Sequence, residues 1–294
     1  MGSLRGRDFL TLADLSKAEL IELLNFSREL KSRPLSDELK GKTLAMLFAK
    51  TSTRTRVSFE VGMTQLGGHA IYLHWSDTNF VKGDIRDEAK NLGRYCDAVM
   101  ARVFTHDQIE KIAEGCEKPV INGMDDLHHP CQALADLLTI FEAKGRFSGI
   151  KVGWVGDGTN VCNSLIQGAE MLGMEMVVAT PKGYEPSIKT GATIVRDATE
   201  AARNADVLVT DSWVSLGKEA EREERLKVFK PYQLNSQLLS LAKRDCIILH
   251  CLPAQRGLEI TSEVLDSPQS WVFEEAENRL HTQKALLLKL LAGL

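Results

Sequence analysis

Several short segments place hydroxyl, guanidinium, imidazole, carboxylate or thiol groups where a loop follows an apolar, strand-like run. Ser52-Thr53-Arg54-Thr55 lies between the apolar run 43–49 and an amphipathic helical pattern. The N–H groups that open a helix have no partner within it, and the positive end of the helix dipole favours an anion there. Hydroxyls and a guanidinium added at that place suit a phosphate. The plainer alternative is a Ser/Thr cap beside a solvated arginine. Arg102 stands at the carboxyl end of the run 98–102, fit for an active-site crevice or for simple solvation. His128-His129-Pro130-Cys131-Gln132 opens another helix. Imidazole and thiol are metal-ligand types, but adjacent histidines in such a loop rarely face one ion, and no second ligand cluster matches. That leaves an imidazole and an amide directed at a polar substrate, or two capping residues.

Further along, Gly156-Asp157-Gly158-Thr159-Asn160 follows a strand-like run and opens a helix. A dinucleotide fingerprint would need a glycine where Val161 stands and an acid at the end of the next strand, which instead ends Ala179-Thr180. A nucleotide P-loop would need a lysine before Thr159. These departures argue against a nucleotide cofactor. Asp211, in Asp211-Ser212-Trp213-Val214-Ser215, ends the run 207–210, where a carboxylate can fix an ammonium group. Cys251, in His250-Cys251-Leu252-Pro253, ends the run 246–249 in the same manner. It is either a small buried residue or a polarisable hydrogen-bond partner for a nucleophile.

The elements that must hold these residues follow from hydrophobic period and turn signals. Ser16 with Glu19 three residues on announces a first helix carrying Leu20, Leu23, Leu24 and Leu30 on one side, stopping near Pro34. Phe59, Met63 and Leu66 mark the helix after Ser52, closed by Gly67-Gly68. Strands are expected at 70–73 and 98–102, helices at 85–95 and 107–115, and a long helix from Pro130 to Lys144. After the break at 145–149 the pattern restarts, with strands at 151–155, 174–179, 207–210 and 246–249 and a helix at 160–172. Such alternation implies parallel sheets covered by helices, with ligands beyond the carboxyl ends of the strands. The charged run 218–227 reads as a solvated helix face or a loop.

At 294 residues the chain is long enough for two domains, and its 44% apolar and 26% charged residues are the balance of a water-soluble globular protein. A net charge of −4 gives no support for a nucleic-acid partner. The six cysteines show no C-x-x-C spacing, so reduced thiols are expected rather than a disulfide framework. No apolar run reaches membrane-spanning length, and no signal segment is evident, so a cytoplasmic protein without membrane association is expected.

Taken in order, Phe48 to Glu60 (FAKTSTRTRVSFE), Arg102, His129 to Thr139 (HPCQALADLLT), Gly156 to Ser164 (GDGTNVCNS), Asp211 to Ser215 (DSWVS), His250 to Gly257 (HCLPAQRG) and Glu277 to Leu287 (ENRLHTQKALL) resemble the transcarbamoylase family, on its ornithine branch. The resemblance spans nearly the whole chain. It implies two doubly wound parallel-sheet α/β domains joined by a short hinge: residues 1–144 for carbamoyl phosphate, 145–276 for the amino acid, and a closing helix, 277–294, packed back on the first. It implies transfer of the carbamoyl group of carbamoyl phosphate to the side-chain amine of L-ornithine, with no metal, no cofactor and a homotrimer or higher multiple of trimers. Ser52, Thr53, Arg54 and Thr55 would hold the phosphate. Arg102 and His129 would face the carbonyl oxygen and Gln132 the carbamoyl amide, with Cys251, Leu252 and Arg279 completing that pocket. Asn160, Asp211, Ser215 and Leu216 would hold ornithine. Arg54, Arg102, His129 and Cys251 would be catalytic, in an acyl transfer without a covalent enzyme intermediate; Cys251 near the attacking nitrogen, with Asp211 on the substrate's ammonium, would favour the neutral amine. Leu216 replaces the family's usual Met, Gln255 a common His, and the loop 78–84 lacks the usual Gln and G-E-[ST] pattern. The alternatives are a related enzyme acting on another amine such as putrescine, and a non-catalytic paralogue. Asn160, Asp211 and Ser215 speak against the first and the complete set of site residues against the second.

Overall fold

The apolar runs form the middle of two parallel sheets, one in each of two compact units of the computed structural model, which describes residues 3–214 and 217–294. One unit comprises Met1–Leu138 with Glu277–Leu294, the other Thr139–Ala276.

In the first unit α1 (Lys17–Ser32) begins at Ser16, whose hydroxyl accepts from the Glu19 N–H while the Glu19 carboxylate accepts from the Ser16 N–H, the reciprocal cap that the sequence announces. There follow β1 (Thr43–Phe48), α2 (Thr53–Gln65), β2 (His69–His74), α3 (Ile85–Leu92), β3 (Ala98–Arg102), α4 (His106–Gly115), β4 (Val120–Met124) and α5 (Pro130–Lys144). The strands lie in the order β2-β1-β3-β4, all parallel. β1 and β3 are apolar along almost their whole length because both faces are covered. Phe48 stands opposite both His74 and Arg102, and Arg102 opposite Met124, so these strands end nearly flush. The loops after β1, β3 and β4 therefore leave one edge of the sheet together.

β4 went unread in the sequence because its centre is Asn122-Gly123, a pair that ordinarily marks a turn. Here Asn122 is fully buried, and a Cβ on Gly123 would stand 2.5 Å from Met100 Sδ, where the register against β3 shifts. The glycine leaves room for the Met100 side chain beside that irregularity.

The second unit contains β5 (Lys151–Val155), α6 (Asn160–Leu172), β6 (Glu175–Ala179), β7 (Thr193–Val195), α7 (Ala198–Ala202), β8 (Val207–Thr210), α8 (Arg222–Phe229), α9 (Ser236–Leu239), β9 (Ile247–His250) and α10 (Ser262–Leu265). Its strands run parallel in the order β7-β6-β5-β8-β9 around Val155, Leu208, Leu234, Ile248 and Ile260. Thr210 pairs with His250, so Asp211 and Cys251 follow flush strand ends. The last helix, α11 (Val272–Leu291), begins five residues before the expected 277, because the start was read from a motif rather than from a cap. Its later part packs in the first unit, where buried Lys284 donates to Pro34 O at 2.6 Å and to Gln65 Oε1 at 2.9 Å.

Candidate functional sites

In the first unit Ser52 caps α2: its hydroxyl accepts from the Thr55 N–H at 3.2 Å, and Thr53 opens the helix with an exposed side chain. Thr55 is buried, and its hydroxyl accepts from Arg279 Nη2 at 3.1 Å. Nη1 of Arg279 donates to Gln132 Oε1 at 2.7 Å, while Gln132 Nε2 donates to Asp136 Oδ1 at 2.8 Å. This bond fixes the orientation of the Gln132 amide and ties α2, α5 and α11 together. Arg102, at the end of β3, and His129, just before α5, are both nearly buried. Burial holds the His129 imidazole well below the usual histidine range, and the guanidiniums of Arg279, Arg102 and Arg54 push it further the same way. Arg54, Arg102, Arg279 and His129 thus share one electrostatic neighbourhood, though they come from stretches far apart in sequence. Around a neutral imidazole, such a group of guanidiniums can take up a phosphorylated anion and offer N–H donors to its other oxygens. Lys50, which sequence reading passed over, stands at the same edge. Burial and the Arg102 charge lower its proton affinity, and its ammonium lies 5.5 Å from the Phe104 ring centre.

In the second unit Asp211 gathers groups from three strand ends. Its Oδ1 accepts from Cys251 Sγ at 3.1 Å and from the Ser212 N–H at 2.7 Å, and its Oδ2 from Thr159 Oγ1 at 3.0 Å. Asn160 opens α6 one residue beyond Thr159. Leu252 has φ of +56°, a left-handed backbone that costs a branched residue about 1–2 kcal/mol. Its N–H donates to His250 Nδ1 at 2.9 Å, which leaves the ring proton on Nε2, 3.2 Å from Glu259 Oε1. Asp211, His250 and Cys251 bring one ligand-type atom each within 4.8 Å of one another. Both nitrogens of His250 are already engaged, so a metal ion there would have to displace one of those bonds. Ser215 and Leu216, expected to touch ornithine, lie outside the described residues.

The charged run 218–227 is not wholly a solvated face. Arg225 is 2% exposed: it pairs with the Asp157 carboxylate, donates through Nε to Trp213 O at 2.5 Å, and lies 4.9 Å from the Tyr184 ring centre. It therefore anchors the segment that carries Asp211. Burial pushes the Asp157 carboxyl up to about 6 even with Arg225 pulling it back. The one sequence signal for Arg225 was its spacing four residues before the buried Phe229, on the same face of α8.

Residues 7–142 match a family model described as aspartate/ornithine carbamoyltransferase, carbamoyl-P binding domain, and residues 148–290 one described as aspartate/ornithine carbamoyltransferase, Asp/Orn binding domain. A protein of Carboxydothermus hydrogenoformans named ornithine carbamoyltransferase is 52% identical, over 99% of each chain. Ornithine carbamoyltransferase from Pyrococcus furiosus is similar in structure, with a TM-score of 0.95 and 48% identity over 100% of both chains. The enzyme of that name from Thermus thermophilus gives a TM-score of 0.91 and 45% identity, over 97% of this chain and 98% of the other.

Proposed function

Because the chain belongs to the aspartate/ornithine carbamoyltransferase family, we propose that it carries the carbamoyl group of carbamoyl phosphate to the side-chain amine of L-ornithine, giving L-citrulline and phosphate. The observation that carries this reading is buried Arg279 bridging the Thr55 hydroxyl and the Gln132 amide, with its charge and those of Arg102 and Arg54 all felt at His129. That arrangement supports assigning carbamoyl phosphate to Ser52, Thr53, Arg54, Thr55, Arg102, His129, Gln132 and Arg279. The set on the second unit supports assigning ornithine to Asp211; Asn160, Ser215 and Leu216 are assigned to it, and Cys251 and Leu252 to carbamoyl phosphate, on the family resemblance. The carbamoyl phosphate domain is taken as 1–144, the ornithine domain as 145–276, and 277–294 as the closing helix.

The chemistry asked of these groups is modest. A neutral amine nitrogen forms a bond to the carbamoyl carbon and loses one proton, while the carbon–oxygen bond to phosphate breaks with its electron pair leaving on phosphate. Negative charge grows on the carbonyl oxygen and on the leaving group. Fixed guanidinium donors stabilise that charge without reorganising, which is commonly the largest single contribution to such a rate. His129, neutral in this surrounding, serves as a hydrogen-bond donor rather than as a cation. Ornithine arrives as an ammonium that titrates near the lysine value of about 10.4, so its proton must leave before attack. Asp211 and Cys251 are the groups assigned to the amino-acid side of that step.

The reading carries with it a cytoplasmic location and a trimer or multiple of trimers, which sedimentation of the purified protein tests. Among the described residues no helix is long and apolar enough to cross a membrane. The activity itself is tested by measuring citrulline formed from carbamoyl phosphate and ornithine, with putrescine run in parallel. Citrulline only with ornithine is the expected result; product from putrescine instead, or none from either, overturns the assignment.

A further inference from the structure

His129 is held from two sides. On one, its carbonyl accepts from the Gln132 and Ala133 N–H groups, at 3.0 and 3.2 Å, in the first turn of α5. On the other lies the turn 125–128, closed by the Asp125 N–H donating to His128 O at 3.0 Å. The Asp125 side chain is fully buried. Its Oδ1 accepts from the Leu127 N–H at 2.7 Å and the His128 N–H at 2.6 Å, so that oxygen is committed to the turn. Its Oδ2 accepts from His106 Nδ1 on α4 at 2.6 Å and from Asn122 Nδ2 on β4 at 2.8 Å. Asn122 also donates to Leu10 O at 2.9 Å. One carboxylate thus refers the turn to a helix and to a strand at once.

Resting on the carbamoyl phosphate reading of the first unit, we propose that His106 and Asp125 are a positioning pair that sets where the His129 imidazole stands. Neither residue need touch the ligand. The pair acts because the segment from Asp125 to His129 is too short to absorb a shift: moving the carboxylate moves the turn, and the turn leads directly into His129. A misplacement of about 1 Å at a reacting group can cost about 100-fold in rate. A carboxylate merely capping the turn would need only the two backbone bonds of Oδ1. The second pair of bonds, from α4 and β4, is what a positioning role requires. His106 in turn is confined by Asp126, which accepts its backbone N–H at 2.8 Å, by the His128 ring edge-on at 5.0 Å between centres, and by Glu110 at 3.7 Å.

The test uses the full-length protein with His106→Leu, which removes the donor, and His106→Asn, whose amide can replace the Nδ1–H. The signal of His129, from histidine labelled with carbon-13 at Cε1 and assigned with a His129→Gln variant, is followed with and without inorganic phosphate as the anion probe. Rates are measured with carbamoyl phosphate and ornithine varied separately. The expected result is a displaced His129 signal and a kcat lowered about 10- to 100-fold in His106→Leu, with KM for ornithine within about twofold. His106→Asn should restore both signal and rate to near the wild-type values. An unmoved His129 signal in a folded His106→Leu protein overturns the proposal, as does a leucine variant that His106→Asn does not improve upon. If His106→Leu fails to fold, Asp125→Asn, which keeps the Oδ1 acceptor, answers the same question by the same signal. Absence of citrulline from the wild type would sink the functional reading instead, and the His129 signal would still decide the positioning role.

Discussion

Around His129 in the first unit the partners are guanidiniums, which hold their charge across the whole working pH range. Around Asp211 in the second they are a thiol, a hydroxyl and a backbone N–H, with the Asp157 carboxyl held near 6 close by. The first arrangement suits a ligand that is always anionic and must be gripped. The second suits a ligand whose reactivity depends on losing a proton. Permanent charge thus lies around His129, while groups able to exchange a proton lie beside Asp211.

Experiments that break this contrast can be ordered by expected size. Arg102→Gln should lower kcat by about 100- to 1,000-fold, the usual consequence of removing one donor to a developing oxyanion. Calorimetry should show carbamoyl phosphate binding weakened as well; a variant defective only toward ornithine would erase the distinction. Asp211→Asn should lower kcat/KM for ornithine by about 10- to 100-fold, the worth of a charged hydrogen bond. Its affinity for carbamoyl phosphate should stay within about twofold, as titration calorimetry would show. Cys251→Ala should cost about 10-fold in kcat and displace the pH profile of ornithine turnover toward higher pH. An unchanged rate and profile would remove the thiol from the chemistry.

Smaller effects sharpen the contrast through pH. Because His129 is held well below 6.5 and its neighbours are guanidiniums, carbamoyl phosphate affinity should vary less than about twofold between about pH 7 and 9. Turnover of ornithine should rise steadily over the same range as its amine loses protons. Among the first unit's histidines His106 behaves oppositely to His129: its hydrogen bond to Asp125 raises its proton affinity, against the effect of burial. A raised folded value means the protonated form adds stability that is fully present below the unfolded value of about 6.5 and is lost as pH rises through the folded one. The melting temperature of wild type should therefore exceed that of His106→Asn by about 2–4 °C near pH 5.5. That gap should narrow on the alkaline side of the folded value; a constant gap would contradict the sign.

Much of this is legible in the amino-acid sequence alone. The capping pair Ser16 and Glu19, the apolar run that became β1, and the hydroxyl-rich start of α2 are local signals, decided by residues within one turn of each other. What stayed hidden was non-local or contrary to local preference. Asn122-Gly123 looks like a turn and is a buried strand, because pairing with β3, remote in sequence, overrides the local turn preference. Arg225 looks solvated within its charged run and is buried, because Asp157, remote in sequence, supplies its counter-charge. The involvement of Arg279 could be named from the resemblance, but its grip on Thr55 and Gln132 could not be derived from spacing.

Arg279 stands 147 positions after Gln132 and 224 after Thr55, the two side chains its guanidinium holds. During synthesis both of its partners leave the ribosome long before it does, and the whole second unit is made in between. The group proposed to hold the anion can therefore be assembled only when α11 emerges and docks, late in a sequence of events that otherwise runs domain by domain. If that assignment holds, a nascent or truncated chain ending before α11 folds its first sheet yet binds carbamoyl phosphate weakly, so ligand capture reports that translation has passed α11.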